Sequence, residues 1–252
     1  YLATLGLHSE RVELTADLAF LLEPAPTQRV DAILQAEGVR FPGPPLLGVS
    51  VSQLMQSHYQ RHNPRADATP FVPMLAAALD EAARRLGCRV LFVSHVTGPS
   101  RTKDDRLISR SVQRAMETPA QVLEGEYGPQ ELKGVISRCH VFLGSRMHAN
   151  IAALSSTVPV VALAYSHKTP GIMQLVGQGD LVCPAASLGR DDITAKLTCA
   201  WEQHEERTRL LAQRLPRIRD RSRRNIELIE QLLHDQPATP SPPASGRSIA
   251  SS

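Results

Sequence analysis

Val141-Phe142-Leu143 is an apolar run of strand length that stops at Gly144. It is followed at once by Ser145-Arg146-Met147-His148-Ala149-Asn150-Ile151-Ala152-Ala153, where Met147, Ile151 and Leu154 recur at helical spacing. A buried strand that turns directly into a helix is the repeating unit of a parallel α/β sheet. The pattern predicts that Gly144 ends a central strand and that Ser145 caps the next helix through its side-chain oxygen. A helix N-terminus presents unpaired N–H groups and the positive end of the macrodipole, so it favours anions. Arg146 and His148 in that first turn add a guanidinium and an imidazole, which suits a phosphate or carboxylate. A planar guanidinium can hold either in a bidentate manner, which an ammonium cannot do.

Outward from this turn the same alternation recurs. Apolar runs predict strands at 46–52, 89–94, 120–123, 141–143, 158–164 and 180–182. Helical patterns fall near 69–86, 103–116, 129–138, 145–155 and 170–176. The expected architecture is a doubly wound parallel sheet over residues 42–234, with charged helices from 190 onward and a break or kink at Pro216. Residues 235–252 are Pro-, Ser- and Ala-rich without periodicity and are expected to be a disordered tail. Residues 1–41 read as the last part of another domain followed by a linker.

In such a sheet the C-terminal strand ends lie along one edge, so loops distant in sequence become neighbours. This gathers Ser52 and Gln53, then His95 with the loop carrying Arg101 and Asp105. Glu124, Glu126 and Tyr127, then Ser145, Arg146 and His148, and finally His167 and Lys168 complete the edge. Ser145, Arg146, Lys168 and Arg101 are the candidate binding residues, with Arg101 as a second anion clamp. His148, His95 and Asp105 are the candidates for proton transfer.

Composition excludes several classes. The 252 residues carry a formal charge of only +3, and 4% are aromatic, which argues against a nucleic-acid partner. The longest apolar run is far short of the ~20 residues of a membrane span. Cys88, Cys139, Cys183 and Cys199 are widely spaced, which suggests reduced thiols and a cytoplasmic setting rather than a disulfide framework. His58 and His62 have the spacing of a helical metal pair, but no third ligand accompanies them, and no metal site is expected. The basic run from Arg207 to Arg224 could reach the inner face of an anionic membrane. Asp220 within it and the flanking Glu205, Glu206 and Glu227 make a solvated face the simpler reading. Phosphate-binding P-loops, dinucleotide fingerprints and nucleophile elbows are absent. The sequence carries no signal of oligomeric state.

Ser145-Arg146-Met147-His148-Ala149-Asn150-Ile151-Ala152-Ala153, the strand Pro159-Val160-Val161-Ala162-Leu163 and Tyr165-Ser166-His167-Lys168 together resemble the signature of the polysaccharide pyruvyltransferase family. Ala16-Asp17-Leu18-Ala19-Phe20-Leu21-Leu22 is similar to that family's inter-domain segment. The resemblance implies a fold like the C-terminal half of a B-type glycosyltransferase. It also implies an enzyme that transfers the enolpyruvyl unit of phosphoenolpyruvate to a sugar, lipid-linked or free, and closes a cyclic ketal, with no cofactor. The family's N-terminal domain opens with a loop ending in Gly-Asp. Residues before Pro42 hold no such loop, so 1–41 is expected to be a remnant of that domain plus linker. Two alternatives stand beside this reading: a B-type glycosyltransferase or related sugar-nucleotide enzyme, and a non-catalytic or truncated binding domain.

Overall fold

The computed structural model describes residue 6 and residues 12–63, 70–98 and 104–234. Arg101 and the 235–252 tail lie outside the described residues. Six parallel strands form one sheet: β1 (Leu46–Ser50), β2 (Arg89–Phe92), β3 (Ala120–Val122), β4 (Val141–Gly144), β5 (Val160–Ala164) and β6 (Val182–Pro184). Their spatial order is β3-β2-β1-β4-β5-β6. The chain therefore reverses its direction of travel between β1 and β4, which pair in register from Leu47↔Val141 to Ser50↔Gly144. That reversal opens a crevice beyond the carboxyl ends of the two strands, the usual ligand position in an open α/β sheet.

Helices cover both faces: α1 (Thr27–Ala36), α2 (Gln53–His62), α3 (Phe71–Leu86), α4 (Asp105–Ala115), α5 (Pro129–Ile136), α6 (Met147–Leu154), α7 (Lys168–Leu175), α8 (Arg190–Glu202) and α9 (His204–His234). Every residue of β1, β4 and β5 is buried, as expected of central strands covered on both faces. Gly48 in β1 makes room for the neighbouring strand, because a Cβ there would lie 2.6 Å from the Phe142 ring and from Cys139 Sγ.

Two helices, α1 and α2, were not anticipated from the sequence. Edge β6 begins at Val182, after a 3₁₀ turn over Gly179–Leu181, so the strand expected at 180–182 is displaced. The long α9 runs through Pro216 without a break; the chain turns instead at Gln203, between α8 and α9. A proline costs one backbone hydrogen bond. Burial of Leu211, Leu215 and Ile218 on either side of Pro216 holds the helix together despite that loss.

Residues 16–39 pack on the same hydrophobic core as the sheet, through Ala16, Phe20, Val30, Ile33, Leu34 and Val39. A 3₁₀ turn at Leu18–Leu21 is capped by Asp17, whose carboxylate accepts from the Ala19 N–H at 2.8 Å. The buried Lys133 ammonium donates to the Leu22 carbonyl, and burial pushes it down to about 8. From α9, Ser222 Oγ donates to the Asp17 carbonyl at 2.9 Å and Asn225 Nδ2 to the Ala16 carbonyl at 2.7 Å. These bonds fix Asp17 beside the start of α6.

Candidate active site

Three serines close the floor of the β1/β4 crevice. The Ser145 N–H donates to the Ser50 carbonyl at 2.8 Å, which extends the ladder one residue past β4. Ser145 Oγ donates to Ser52 Oγ at 3.1 Å, and Ser52 Oγ in turn accepts from the Met55 N–H as the cap of α2. All three serines are fully buried. This corrects the expected cap: Ser145 is committed to the sheet and to Ser52, so α6 starts one residue later with Arg146 at its N-cap and no side-chain cap. Gly144 is required here, because a Cβ would lie 1.8 Å from Asn150 Oδ1. Asn150 uses that position to donate from Nδ2 to the Gly144 carbonyl at 3.1 Å, which locks the strand-to-helix turn.

Arg146 does not project freely. Its Nε donates to Asp105 Oδ2 at 2.9 Å and its Nη2 to Asp105 Oδ1 at 2.7 Å. Asp105 opens α4 and is 1% exposed, against 21% for the arginine side chain. Burial raises the Asp105 carboxyl while the Arg146 bonds oppose that rise; the Arg146 guanidinium is itself held above its usual value by the Asp105 bonds. The pair is neutral overall, so its long-range pull on an anion is small. Its contribution is geometric: a guanidinium has five N–H donors, and fixing two of them on Asp105 aims the rest. Tyr165, just past β5, also bonds to Arg146 and stacks on His58 with ring centroids 5.1 Å apart.

His95 follows β2 and is half-buried, with Nδ1 unpartnered among the described residues. Burial, followed by the charges of His148 and Arg146, pushes it down to about 4, which places those two groups close to it. At neutral pH it is an uncharged imidazole. His148 is exposed in the first turn of α6, with Nε2 3.8 Å from Asp17 Oδ2. Arg146, His95, His148 and Asp105 therefore lie close together at the carboxyl ends of the strands, the Asp105 N–H donating to the carbonyl of Val96, next to His95, at 2.8 Å.

Lys168 stands apart from this set. It is the exposed first residue of α7 and opens onto an adjoining groove of about 820 Å³ lined also by Asp17, Leu18 and Met147; neither Arg146 nor His95 lines it. Asp17 and Met147 line that groove and Asp17 also approaches His148, so the groove adjoins the start of α6. Among the described residues Lys168 has no ion pair or hydrogen bond. Asp17 and Tyr165 belong to the site's framework without having been singled out as site residues. The signal for Asp17 was readable: an acid preceding a short apolar run is a cap. No group of three or more His, Cys, Asp or Glu among the described residues is arranged to hold a metal ion.

Comparison with known proteins bears on the family and the fold. Residues 1–167 match the family model for polysaccharide pyruvyl transferase. Over 123 residues the chain is 28% identical to the amylovoran biosynthesis protein AmsJ of Erwinia amylovora, a match covering 48% of this chain and 30% of that protein. Among solved structures, UDP-GlcNAc 2-epimerase from Neisseria meningitidis, bound to UDP-GlcNAc, superposes with a TM-score of 0.57 at 13% identity, over 93% of this chain and 57% of that one. A glycosyltransferase from Rickettsia africae ESF-5 gives 0.50 at 11% identity, over 92% of this chain and 60% of that one. At such identities the likeness is one of fold, and the fold is the doubly wound half of a B-type glycosyltransferase. The chain spans little more than half the length of those two structures.

Proposed function

This chain belongs to the polysaccharide pyruvyl transferase family, and we propose that it takes the enolpyruvyl unit of phosphoenolpyruvate to a pair of hydroxyls on an exopolysaccharide or cell-envelope sugar. The observation that carries this reading is the Arg146–Asp105 fork set in the β1/β4 crevice beside the uncapped start of α6. Phosphoenolpyruvate carries a phosphate and a carboxylate on adjacent positions. The remaining N–H donors of Arg146 and the first-turn N–H groups of α6 are two donor sets at one place.

The chemistry divides into balanced steps. A proton is added to the methylene carbon, which leaves an oxocarbenium-like centre at the neighbouring carbon. One sugar hydroxyl bonds to that carbon and loses its proton. The carbon–oxygen bond to phosphate then breaks, inorganic phosphate departs, and the second hydroxyl closes the ketal with loss of its own proton. No oxidant or reductant enters, so no redox cofactor is proposed. Arg146 and the helix N-terminus stabilise the phosphate as charge collects on it. His148 donates to the same phosphate, while Lys168, which opens onto the adjoining groove, is given no part at it.

His95 is the candidate base for a sugar hydroxyl. In the free protein its basicity is suppressed by burial and by the neighbouring His148 and Arg146 charges. An arriving trianion offsets those charges, though not the burial, so the base strengthens when donor is bound. Asp105 acts through Arg146 and is assigned as a positioning residue rather than a base, since both its oxygens are occupied.

Calorimetric titration with phosphoenolpyruvate and, separately, with UDP-N-acetylglucosamine tests the reading. Binding of the former with no response to the latter is expected. Tight binding of the nucleotide sugar with silence toward phosphoenolpyruvate would replace the proposal with a sugar-nucleotide enzyme.

A further inference from the structure

The arginines of α9 are not equally compensated. Arg207 pairs with Asp180, Arg223 with Asp220, and Arg224 with Glu13 and Glu227. Arg214, Arg217 and Arg221 have no carboxylate partner among the described residues, although Arg214 reaches the Leu175 carbonyl at 3.5 Å. Those three recur at i, i+3 and i+7, so they share one face of the helix. Together with Leu175, Gln213 and Ile218 they line a groove of about 410 Å³ that holds no acid among the described residues.

That groove runs into the one that holds Lys168, for Leu175 and Arg221 line both. The shared face of α9 continues through Asn225 to Ile229 and Leu232. Leu14 is 79% exposed, Ile229 53% and Leu232 68%, and Leu18 is exposed beside them. Of the described residues lining the two grooves, only Asp17 is acidic, and it lies 3.8 Å from His148. One surface thus presents unpaired arginines, then protruding aliphatic side chains, and ends at the rim of the candidate active site.

From this juxtaposition we infer that the Arg214–Arg217–Arg221 face of α9, with Leu14, Leu18 and Ile229, docks on the surface of an anionic lipid bilayer. The charge pattern selects that occupant: guanidinium groups meet lipid phosphates at headgroup level while the aliphatic side chains enter the acyl boundary. Among the described residues no helix is long and apolar enough to cross a membrane, so the contact is peripheral. Asp220, the acid within this run, is paired with Arg223, and Glu227 just beyond it with Arg224, which leaves this face cationic among the described residues. The orientation brings the crevice mouth to the membrane, where a sugar carried on a lipid would be presented.

Co-sedimentation with vesicles tests this directly, using phosphatidylcholine alone and a two-to-one mixture of phosphatidylcholine and phosphatidylglycerol. The expected result is pelleting with the mixed vesicles only, weakened as salt shortens the screening length. Neutralising Arg214, Arg217 and Arg221 to Gln together should lower partitioning by on the order of a hundredfold, about fivefold for each charge. Ile229→Ser should weaken it with the charges intact. Arg217→Gln alone guards against misfolding of the triple variant, since Arg217 has no hydrogen bond or ion pair among the described residues. Equal binding to neutral vesicles, failure to bind the mixed ones, or indifference to the arginine changes would overturn the inference. So would sedimentation velocity showing that this face instead joins two copies of the chain. Phosphoenolpyruvate affinity of these variants should be unchanged, so this inference and the proposed reaction fail separately.

Discussion

At the scale of single residues the site is built on borrowed rigidity. In the proposed reaction Arg146 seats an anion because Asp105 holds its plane, and that carboxylate sits on the first residue of a different helix. Asp105→Asn keeps the shape of the side chain but removes its charge. It should weaken phosphoenolpyruvate binding by roughly tenfold, the scale of one charge-assisted hydrogen bond, without abolishing it. Titration calorimetry on the folded variant checks this, and unchanged affinity would show that Arg146 needs no such support. His95 offers a second test. Its ring should titrate near 4 in the free protein and move upward when phosphoenolpyruvate is bound, because the anion cancels the His148 and Arg146 contributions. Histidine proton resonances followed against pH, with and without donor, report both values; a resonance that ignores the donor removes His95 from the reaction. None of this pairing was legible in the sequence. Arg146 and Asp105 are 41 positions apart, and only the packing of α4 against the β1/β4 crevice reveals that one orients the other. What could be read was the presence of Arg146, His148, His95 and Asp105 at strand ends, since that follows from alternation alone.

At the scale of elements the decisive joint is the turn from β4 into α6. Gly144→Ala places a methyl group where Asn150 Oδ1 sits, so either the asparagine loses its bond to the Gly144 carbonyl or the turn shifts. Overpacking of this kind costs about 1–3 kcal/mol, measurable by urea denaturation, and the double change with Asn150→Ala should recover part of the loss. A second joint lies at the opposite edge of the sheet, where His140 stacks on His204 at 3.7 Å between ring centroids and leans on Trp201 at 4.4 Å. Burial and the neighbouring His204 push His140 down to about 4. The folded protein therefore takes up fewer protons than the unfolded chain between about 6.5 and 4. Stability is full above that window and declines as pH falls through it. Melting temperatures across that range should fall less steeply in His140→Gln; parallel curves would contradict the coupling. The strands were readable because each is a run of buried apolar residues. The helix α2 was not, because only Met55 and Tyr59 among its ten residues are buried, too few to set a period. Capping by Ser145 failed for a tertiary reason, the bond to Ser52 on a neighbouring element.

At the scale of the whole molecule, a parallel sheet concentrates chemistry at the one edge where its strand order reverses. The 3-2-1-4-5-6 order puts β1 and β4 side by side, and the residues following them form the crevice. The same body carries the cationic and apolar face of α9 to the rim of that crevice through the shared groove at Leu175 and Arg221. Phosphoenolpyruvate seated by the oriented Arg146 guanidinium is the point on which the proposed reaction depends. Calorimetric titration of phosphoenolpyruvate into the unaltered protein and into Arg146→Lys addresses it most directly. Lysine keeps the charge but loses the planar fork and the bidentate hold on Asp105. The expected result is binding by the unaltered protein and an affinity lower by about ten- to a hundredfold in the variant, equivalent to roughly 1.5–3 kcal/mol. Equal affinity in the two proteins, with both folded by circular dichroism, would contradict the assignment of Arg146 as the anion-binding group.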